Sequence, residues 1–339
     1  MLKQGLPRKE ITMSPARLRW GFLSTARITT ALLDPLHTSN RNELLAVASR
    51  SQDKADEYAR KYKVKRAYGS YAELLADPDI DVIYNPLPNH LHAEWTVNAM
   101  RAGKHVLCEK PLALSMADVD VIIAEAEKMG KITAEAFMYR THPQTLKAQE
   151  IVASGKLGVV KFIRGSYTYV GRNPDNYRWK PEMGGGGLWD VGCYPLSYSR
   201  ALLGVEPLEV FGWQVTGPTG VDEFFTSQLH FPKDIYAHFD CSVKIPYHVF
   251  MEIIGDEAML TIPNPFNPGK KEKLLLSKNG RIEKVAVKGI GAYCGEVEDM
   301  ADAILLGKPP HVSLADSRAN TAAILALFQS AKTRKPVIM

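Results

Sequence analysis

Short apolar runs and longer amphipathic stretches alternate from Arg19 to Ala134, which restricts this part of the chain to a parallel sheet wound with helices. Arg19–Leu23 reads as a strand, Ala26–Leu36 as a helix, Leu44–Arg50 as a strand and Ser51–Lys63 as a helix capped by Ser51. Asp81–Asn85 reads as a buried strand, and a helix capped by Asn89 and closed by Gly103 leads to the strand that reaches Lys110. Ser115 with Asp118 forms a capping-box-like start to a helix ending near Gly130, before the strand Lys131–Ala134. Repeated strand–helix–strand units predict a Rossmann-like, doubly wound parallel sheet.

After Phe137 the grammar changes. A helix over Pro143–Ser154 precedes strand-like stretches at Val159–Val170, Leu208–Val215, Glu223–Phe231 and Ile235–Val243. These are longer and more strictly alternating, as expected of a mostly antiparallel open sheet with one buried face. Two helices close the chain, the last from Ser313, with Asp316 in the capping position, to about Lys332. A chain of 339 residues is long for one domain. The predicted division is a flexible extension over 1–17, a Rossmann domain over 18–137 and an α+β domain for substrate binding and oligomerisation over 138–339.

Composition narrows the function. Of the net charge of +5, Lys3, Arg8, Lys9, Arg17 and Arg19 against Glu10 place +4 in the first nineteen residues. The body lacks the basic face that phosphate neutralisation requires, so nucleic acid is not an expected partner. The amino-terminal segment has no apolar core of a secretory signal, Met13 is an alternative start, and no run is long enough for a membrane span. Cys108, Cys193, Cys241 and Cys294 are scattered, without Cys-x-x-Cys pairs or Cys/His clusters, so a reduced cytoplasmic setting without a metal is expected. His90 and His92, flanking one loop, read as cap or packing residues.

The strand His105–Glu109 stops at Lys110-Pro111, where an open α/β sheet binds its ligands, and the proline restricts how the lysine is presented. Lys110 is therefore the first catalytic candidate. Gly21-Phe-Leu-Ser-Thr-Ala26 falls on the glycine-rich dinucleotide frame but keeps only its first glycine, with Ser24 and Thr25 adding hydroxyls near the helix start. The second strand ends in Ser49-Arg50-Ser51 with Lys54 a turn on, where an acidic residue would bind the ribose of NAD. An arginine there favours the 2′-phosphate, so NADP(H) is the expected cofactor and NAD(H) the lesser one. Downstream, Gly184–Gly187 leads into Leu-Trp-Asp190-Val-Gly-Cys-Tyr194, and Asp190 and Tyr194 share a face if this stretch is helical, which Pro195 complicates.

Taken together, Glu109-Lys110-Pro111, the loop Pro86–His92, Met138-Tyr-Arg-Thr-His-Pro143 and Gly-Gly-x-x-x-Asp190-x-Gly-x-Tyr194 resemble the Gfo/Idh/MocA family of glucose–fructose oxidoreductases and inositol dehydrogenases. The resemblance runs from Arg19 to nearly the end and is strongest to the branch of NADP-dependent D-xylose and trans-dihydrodiol dehydrogenases. It implies Lys110, Asp190 and Tyr194 as the catalytic group. It implies cofactor contacts from Ser24, Thr25, Arg27, Ile28, Arg50, the Pro86–His92 loop with Pro86, Leu87, Asn89 and His92, and Glu109, with Arg178 and Trp179 as further candidates, and Gly21, Ala26, Ser49, Lys54 and Lys110 join these as expected cofactor contacts. Tyr139, Arg140, Trp179 and Tyr293 are candidates to bind a sugar, with core or surface packing as the other reading. Two departures, Asn85 before the proline and a fourth glycine before Leu188, bear on the substrate pocket.

The expected activity is transfer of a hydride between nicotinamide and a secondary hydroxyl or ketone of a sugar, sugar derivative or cyclic diol. Tyr194 is expected to relay the proton, its phenol drawn down by the Lys110 ammonium, and Asp190 to bind a sugar hydroxyl or orient the lysine. The alternatives are a keto-sugar reductase and a catalytically silent NADP-binding regulator. The resemblance also implies a homodimer or homotetramer.

Overall fold

The structure is a computed structural model and describes residues 17–339. The extension expected over 1–17, with its alternative start at Met13, lies outside these residues except for Arg17, whose guanidinium donates to the carbonyls of Ser39 and Asn42.

The first sheet is built from β1 (Leu18–Phe22), β2 (Asn42–Ala48), β3 (Arg66–Tyr68), β4 (Val82–Asn85), β5 (His105–Glu109) and β6 (Thr133–Ala136). All pairs are parallel in the order β3-β2-β1-β4-β5-β6. The order reverses between β1 and β4, which opens a crevice at the carboxyl ends of these strands. The connections carry α1 (Leu33–Thr38), α2 (Gln52–Tyr62), α3 (Tyr71–Ala76), α4 (His92–Arg101) and α5 (Met116–Met129). Helices on both faces explain why β4 is buried along its whole length.

Capping behaves as the sequence predicts at α5, where the Ser115 hydroxyl accepts from the Asp118 N–H and Gly130 closes the helix in the left-handed region. Three other expectations fail. Ser51 makes no side-chain cap at α2. Asn89 opens a short 3-10 turn instead of capping α4, because its amide reaches across the cleft to the Gly184 carbonyl, 2.9 Å away. The helix expected over Ala26–Leu36 begins as a 3-10 turn, Arg27–Leu32, and becomes α1 only at Leu33. There the Thr29 and Thr30 hydroxyls bond to the Ala26 and Arg27 carbonyls and compete with the regular pattern.

The second body contains α6 (Pro143–Ala153), β7 (Val160–Val170), α7 (Cys193–Leu203), β8 (Glu209–Thr216), β9 (Asp222–Phe231), β10 (Ile235–Ser242), β11 (Lys244–Gly255), β12 (Met259–Ile262), β13 (Lys271–Lys278) and β14 (Arg281–Lys288). After these come α8 (Cys294–Leu306), α9 (Leu314–Thr333) and β15 (Val337–Ile338). The sheet order is β14-β13-β12-β11-β7-β10-β9-β8-β15, antiparallel except between β7 and β10. The chain is thus α/β, with a Rossmann sheet followed by a mostly antiparallel one.

Chain order does not separate the two cores cleanly. Helix α8, far along the 138–339 segment, buries Val297, Met300 and Ala301 with Leu32 and Leu36 in the first core. Arg41 holds the same helix through Glu298 and Asp302, each at 2.5 Å. This return anchors the turn before α8, and so carries Tyr293 to the mouth of the crevice.

Candidate active site

Lys110 follows β5 into the cleft between the sheets. Its Nζ donates to the Asp190 carbonyl oxygen at 2.5 Å and lies 3.4 Å from Asp190 Oδ1. Asp190 Oδ1 also accepts from Arg178 Nε at 2.8 Å, and Oδ2 accepts from the Tyr169 hydroxyl at 2.6 Å. Burial works against the carboxylate, but the Arg178 and Lys110 cations outweigh it and hold Asp190 down to about 2. Burial likewise works against the ammonium, and the Asp190 charge reverses that, leaving Lys110 above its ordinary range. Both Asp190 side-chain oxygens thus already meet protein donors.

The local backbone explains how Asp190 reaches this position. Leu188–Gly192 forms a π-turn before α7, so Asp190 and Tyr194 are not spaced as on a regular helix. In a π pattern the Asp190 carbonyl would accept from the N–H of residue 195, but Pro195 has none, and Lys110 takes that oxygen.

Tyr194 sits in an aromatic block with Phe137, Tyr139, Tyr167 and Phe266, ring centroids 5.4–5.8 Å from its own. Lys110 Nζ lies 5.0 Å from the ring centroid, and the hydroxyl donates to the weak acceptor Met138 Sδ at 3.9 Å. The expectation that the ammonium would draw this phenol down is overturned. Burial, with Tyr167, Tyr293 and Glu109 adding to it, raises Tyr194 well above the usual tyrosine value. Tyr194 is therefore a neutral phenol with a hydroxyl available to a ligand.

Lys110, Asp190 and Tyr194 line a cavity of ≈ 640 Å³ with Ile28, Pro86, Leu87, Asn89, His92, Glu109, Arg178, Trp179 and Tyr293. Tyr139 and Arg140 do not line it, which corrects their expected role. Tyr139 is fully buried and stacks on Tyr198, centroids 5.0 Å apart, while Arg140 pairs with Asp316 at 2.7 Å. Sequence reasoning missed Tyr167, Tyr169, Asn176, Tyr177 and Tyr247 on the cavity wall. The period of two along β7 puts Tyr167 and Tyr169 on one face and was the available signal.

Other assignments change character. The His92 ring nitrogens lie 2.6 Å from the Pro111 carbonyl and 2.7 Å from that of Leu87, which places the ring between the lysine's proline and the loop after β4. Burial moves His92 down to about 4, so the neutral ring carries one N–H, donates to one of these two carbonyls and is packed between the two loops. Arg178, a candidate cofactor contact, is committed to Asp190. Asn85 points into the same loop, donating to His92 O and Thr96 Oγ1 at 3.1 Å each, and does not reshape the pocket.

A second cavity of ≈ 710 Å³ adjoins the first, sharing Pro86, Leu87 and Tyr177. Ser24, Thr25, Ala26, Ser49, Arg50 and Lys54 line it, and among the described residues no acidic side chain does. This suits an elongated anion with its charge at the Arg50 end. Gly21 and Arg27 do not face either cavity. Gly21 lies within β1, where an added Cβ would meet Leu74, Ile80 and Ile83 at 3.0–3.3 Å, and Arg27 is exposed.

Comparison with known proteins agrees with this architecture. Residues 18–137 match the family described as "Oxidoreductase family, NAD-binding Rossmann fold", and residues 145–261 match the "GFO/IDH/MocA C-terminal domain". The chain is 34% identical over 320 residues to D-xylose 1-dehydrogenase (NADP(+)) 2 of Haloferax volcanii, covering 93% of this chain and 98% of that protein. It is 34% identical over 255 residues to dTDP-3,4-didehydro-2,6-dideoxy-alpha-D-glucose 3-reductase of Streptomyces violaceoruber, covering 74% of each. The crystal structure of a 3-ketoreductase from Actinomadura kijaniata with NADP and TDP-benzene superposes with a TM-score of 0.87 at 26% identity, over 93% of this chain and 98% of that one. With a Rossmann crevice, an open-sheet second domain and matches to both family domains, this chain belongs to the Gfo/Idh/MocA family of NAD(P)-binding sugar and diol oxidoreductases.

Proposed function

We propose that the protein is an NADP-dependent oxidoreductase that interconverts a secondary hydroxyl and a ketone on a sugar, sugar derivative or cyclic diol. The observation that carries this reading is in the first cavity, where a lysine ammonium held by the buried Asp190 lies over a phenol whose hydroxyl meets, among the described residues, a sulfur partner alone. Ser24, Thr25 and Ala26 would hold the cofactor's pyrophosphate, Arg50 and Lys54 its 2′-phosphate, and Pro86, Leu87 and Glu109 the part nearest Lys110. When bound, this group supplies or accepts hydride. The chain's own work is at the substrate oxygen: Tyr194 Oη gives or takes the proton, and the Lys110 ammonium stabilises the alkoxide that develops there. The aromatic wall of Tyr167, Tyr169 and Tyr247 suits an uncharged ring carrying hydroxyls.

Reduction of NADP⁺ and NAD⁺ over a panel of aldoses, inositols and cyclic diols, with NADPH oxidation over the matching ketones, tests the reading. Turnover of one class supports it. NADPH binding without turnover on either panel would instead favour a silent regulator. Arg50→Ala should raise the Kd for NADPH by about ten- to hundred-fold, the loss of a charge-assisted contact of about 1.5–3 kcal/mol, with Kd for NADH nearly unchanged. Equal weakening of both cofactors would count against the 2′-phosphate assignment.

The protonation states favour ketone reduction as the direction open at neutral pH. Tyr194 and Lys110 are both held above their ordinary values, so both are protonated donors. Oxidation needs an acceptor, so Tyr194 must first lose its proton. Its kcat/KM should therefore rise about tenfold per pH unit from pH 7 to 9, while that for reduction stays flat. An oxidation profile already level at pH 7 would overturn this assignment.

Self-association through the open face of the second sheet belongs to the same reading. That face exposes Trp213, Val215 and Tyr236, a grouping more apolar than a solvent face requires. Light scattering of wild type against Trp213→Glu tests it, with a smaller species expected for the variant. The four free cysteines suit a reducing, cytoplasmic setting.

A further inference from the structure

We propose that Asp222 is a positioning residue for the reaction: its carboxylate clamps the start of the π-turn that carries the Asp190 carbonyl, and so sets where the Lys110 ammonium stands. This rests on the reading of Lys110 as a catalytic group.

Asp222 opens β9 and is buried, at 3% exposure, with no cation paired to it among the described residues. A buried carboxylate without a counter-ion is costly unless hydrogen bonds satisfy it. Backbone N–H groups offset part of this cost: Oδ2 accepts from Leu188 N at 2.7 Å and the Gly187 N–H also favours the charged form, while burial still holds Asp222 up at about 7. Leu188 is the first residue of the π-turn. Two residues on, the Asp190 carbonyl accepts from Lys110 Nζ at 2.5 Å, and the Asp190 N–H returns to the Gly186 carbonyl at 3.1 Å. A short continuous path thus joins the Asp222 carboxylate to the lysine.

The glycine run has its explanation in this clamp. Gly186 has φ +110°, a conformation that side chains disfavour, and a Cβ on it would run into Asp222 Oδ1. A Cβ on Gly187 would stand 3.3 Å from Oδ2. Glycine at both positions lets the backbone close onto the carboxylate. The fourth glycine, which the sequence marks as a departure that bears on the pocket, belongs to this clamp and not to the pocket wall.

Asp222→Asn keeps the size but turns an NH₂ towards the same N–H donors, or leaves one of them unpaired. Its kcat should fall about 10- to 100-fold on the best substrate of the panel, with KM and the Kd for NADPH within about twofold of wild type. In a Lys110→Ala background the same substitution should cost no more than about twofold, because its effect passes through the lysine. Should Asp222→Asn fail to fold, Gly187→Ala crowds the same carboxylate, and a kcat loss of about threefold with unchanged NADPH binding is expected. Unchanged kcat in the folded variant, or the same loss with and without Lys110, would overturn the proposal. Wild-type turnover by Lys110→Ala itself would instead overturn the catalytic reading on which it rests.

Discussion

Lys110→Ala is expected to lower turnover by about 10²- to 10⁴-fold, the range for removing a group that acts on the proton or developing charge in the transition state. The fold should tolerate the change, because Asp190 keeps Arg178 Nε at 2.8 Å and the Tyr169 hydroxyl at 2.6 Å. NADPH should still bind, since the groove lined by Ser24, Arg50 and Lys54 does not depend on this side chain. Lys110→Arg should not restore activity: a planar guanidinium cannot reproduce an ammonium aimed at one carbonyl oxygen and lying over the Tyr194 ring. Steady-state kinetics with a parallel NADPH titration separates these outcomes, and wild-type kcat in the alanine variant would remove Lys110 from the mechanism.

Asp190→Ala should have the largest effect on stability. It strips the shared carboxylate from Lys110 and Arg178 and leaves the Tyr169 hydroxyl without its acceptor. Breaking a buried pair from one side costs about 3–5 kcal/mol, because the remaining charge stays out of water. The Lys110 side chain is only 10% exposed, so the lower part of that range is a fair minimum. Urea unfolding should show this loss, with activity lost as well; a midpoint within error of wild type would mean that the charges find water after all.

Asp190→Asn separates charge from shape. Burial, no longer opposed by the carboxylate, should push Lys110 down, so reduction, flat in the wild type, should fall off at alkaline pH as the stabilising ammonium is lost. For the wild type the linkage has a definite sign. Asp190 lies lower in the folded chain than in the unfolded one, so its contribution is complete above about pH 4 and is lost as the pH falls towards 2. Lys110 lies higher when folded, and its contribution holds below about 10.5 and fades as the pH rises further.

The residues legible in advance share a property: their signal is local. Ser115 with Asp118, Gly130, and Ser313 with Asp316 mark helix ends through bonds spanning a few residues. Lys110 stands out because an apolar strand stops beside it. Arg50 stands out because it follows β2 where an acid would serve NAD. Asn89 shows where a local signal misleads, since it looks like a cap but its amide bonds to the carbonyl of Gly184, 95 residues away.

By itself the sequence determined the alternation that makes the first sheet parallel, the change to a second, antiparallel grammar, and the residue types at the lysine, glycine and arginine positions. Only the tertiary structure decided what those groups do. It joined Lys110 to Asp190 across 80 positions, left Tyr194 a neutral phenol, turned Tyr139 and Arg140 into packing and directed Arg178 to a carboxylate. The physical reason is that capping and periodicity act within a turn or two of chain. Desolvation and charge pairing instead depend on which distant residues are folded against a group, and those terms set its proton and its partner.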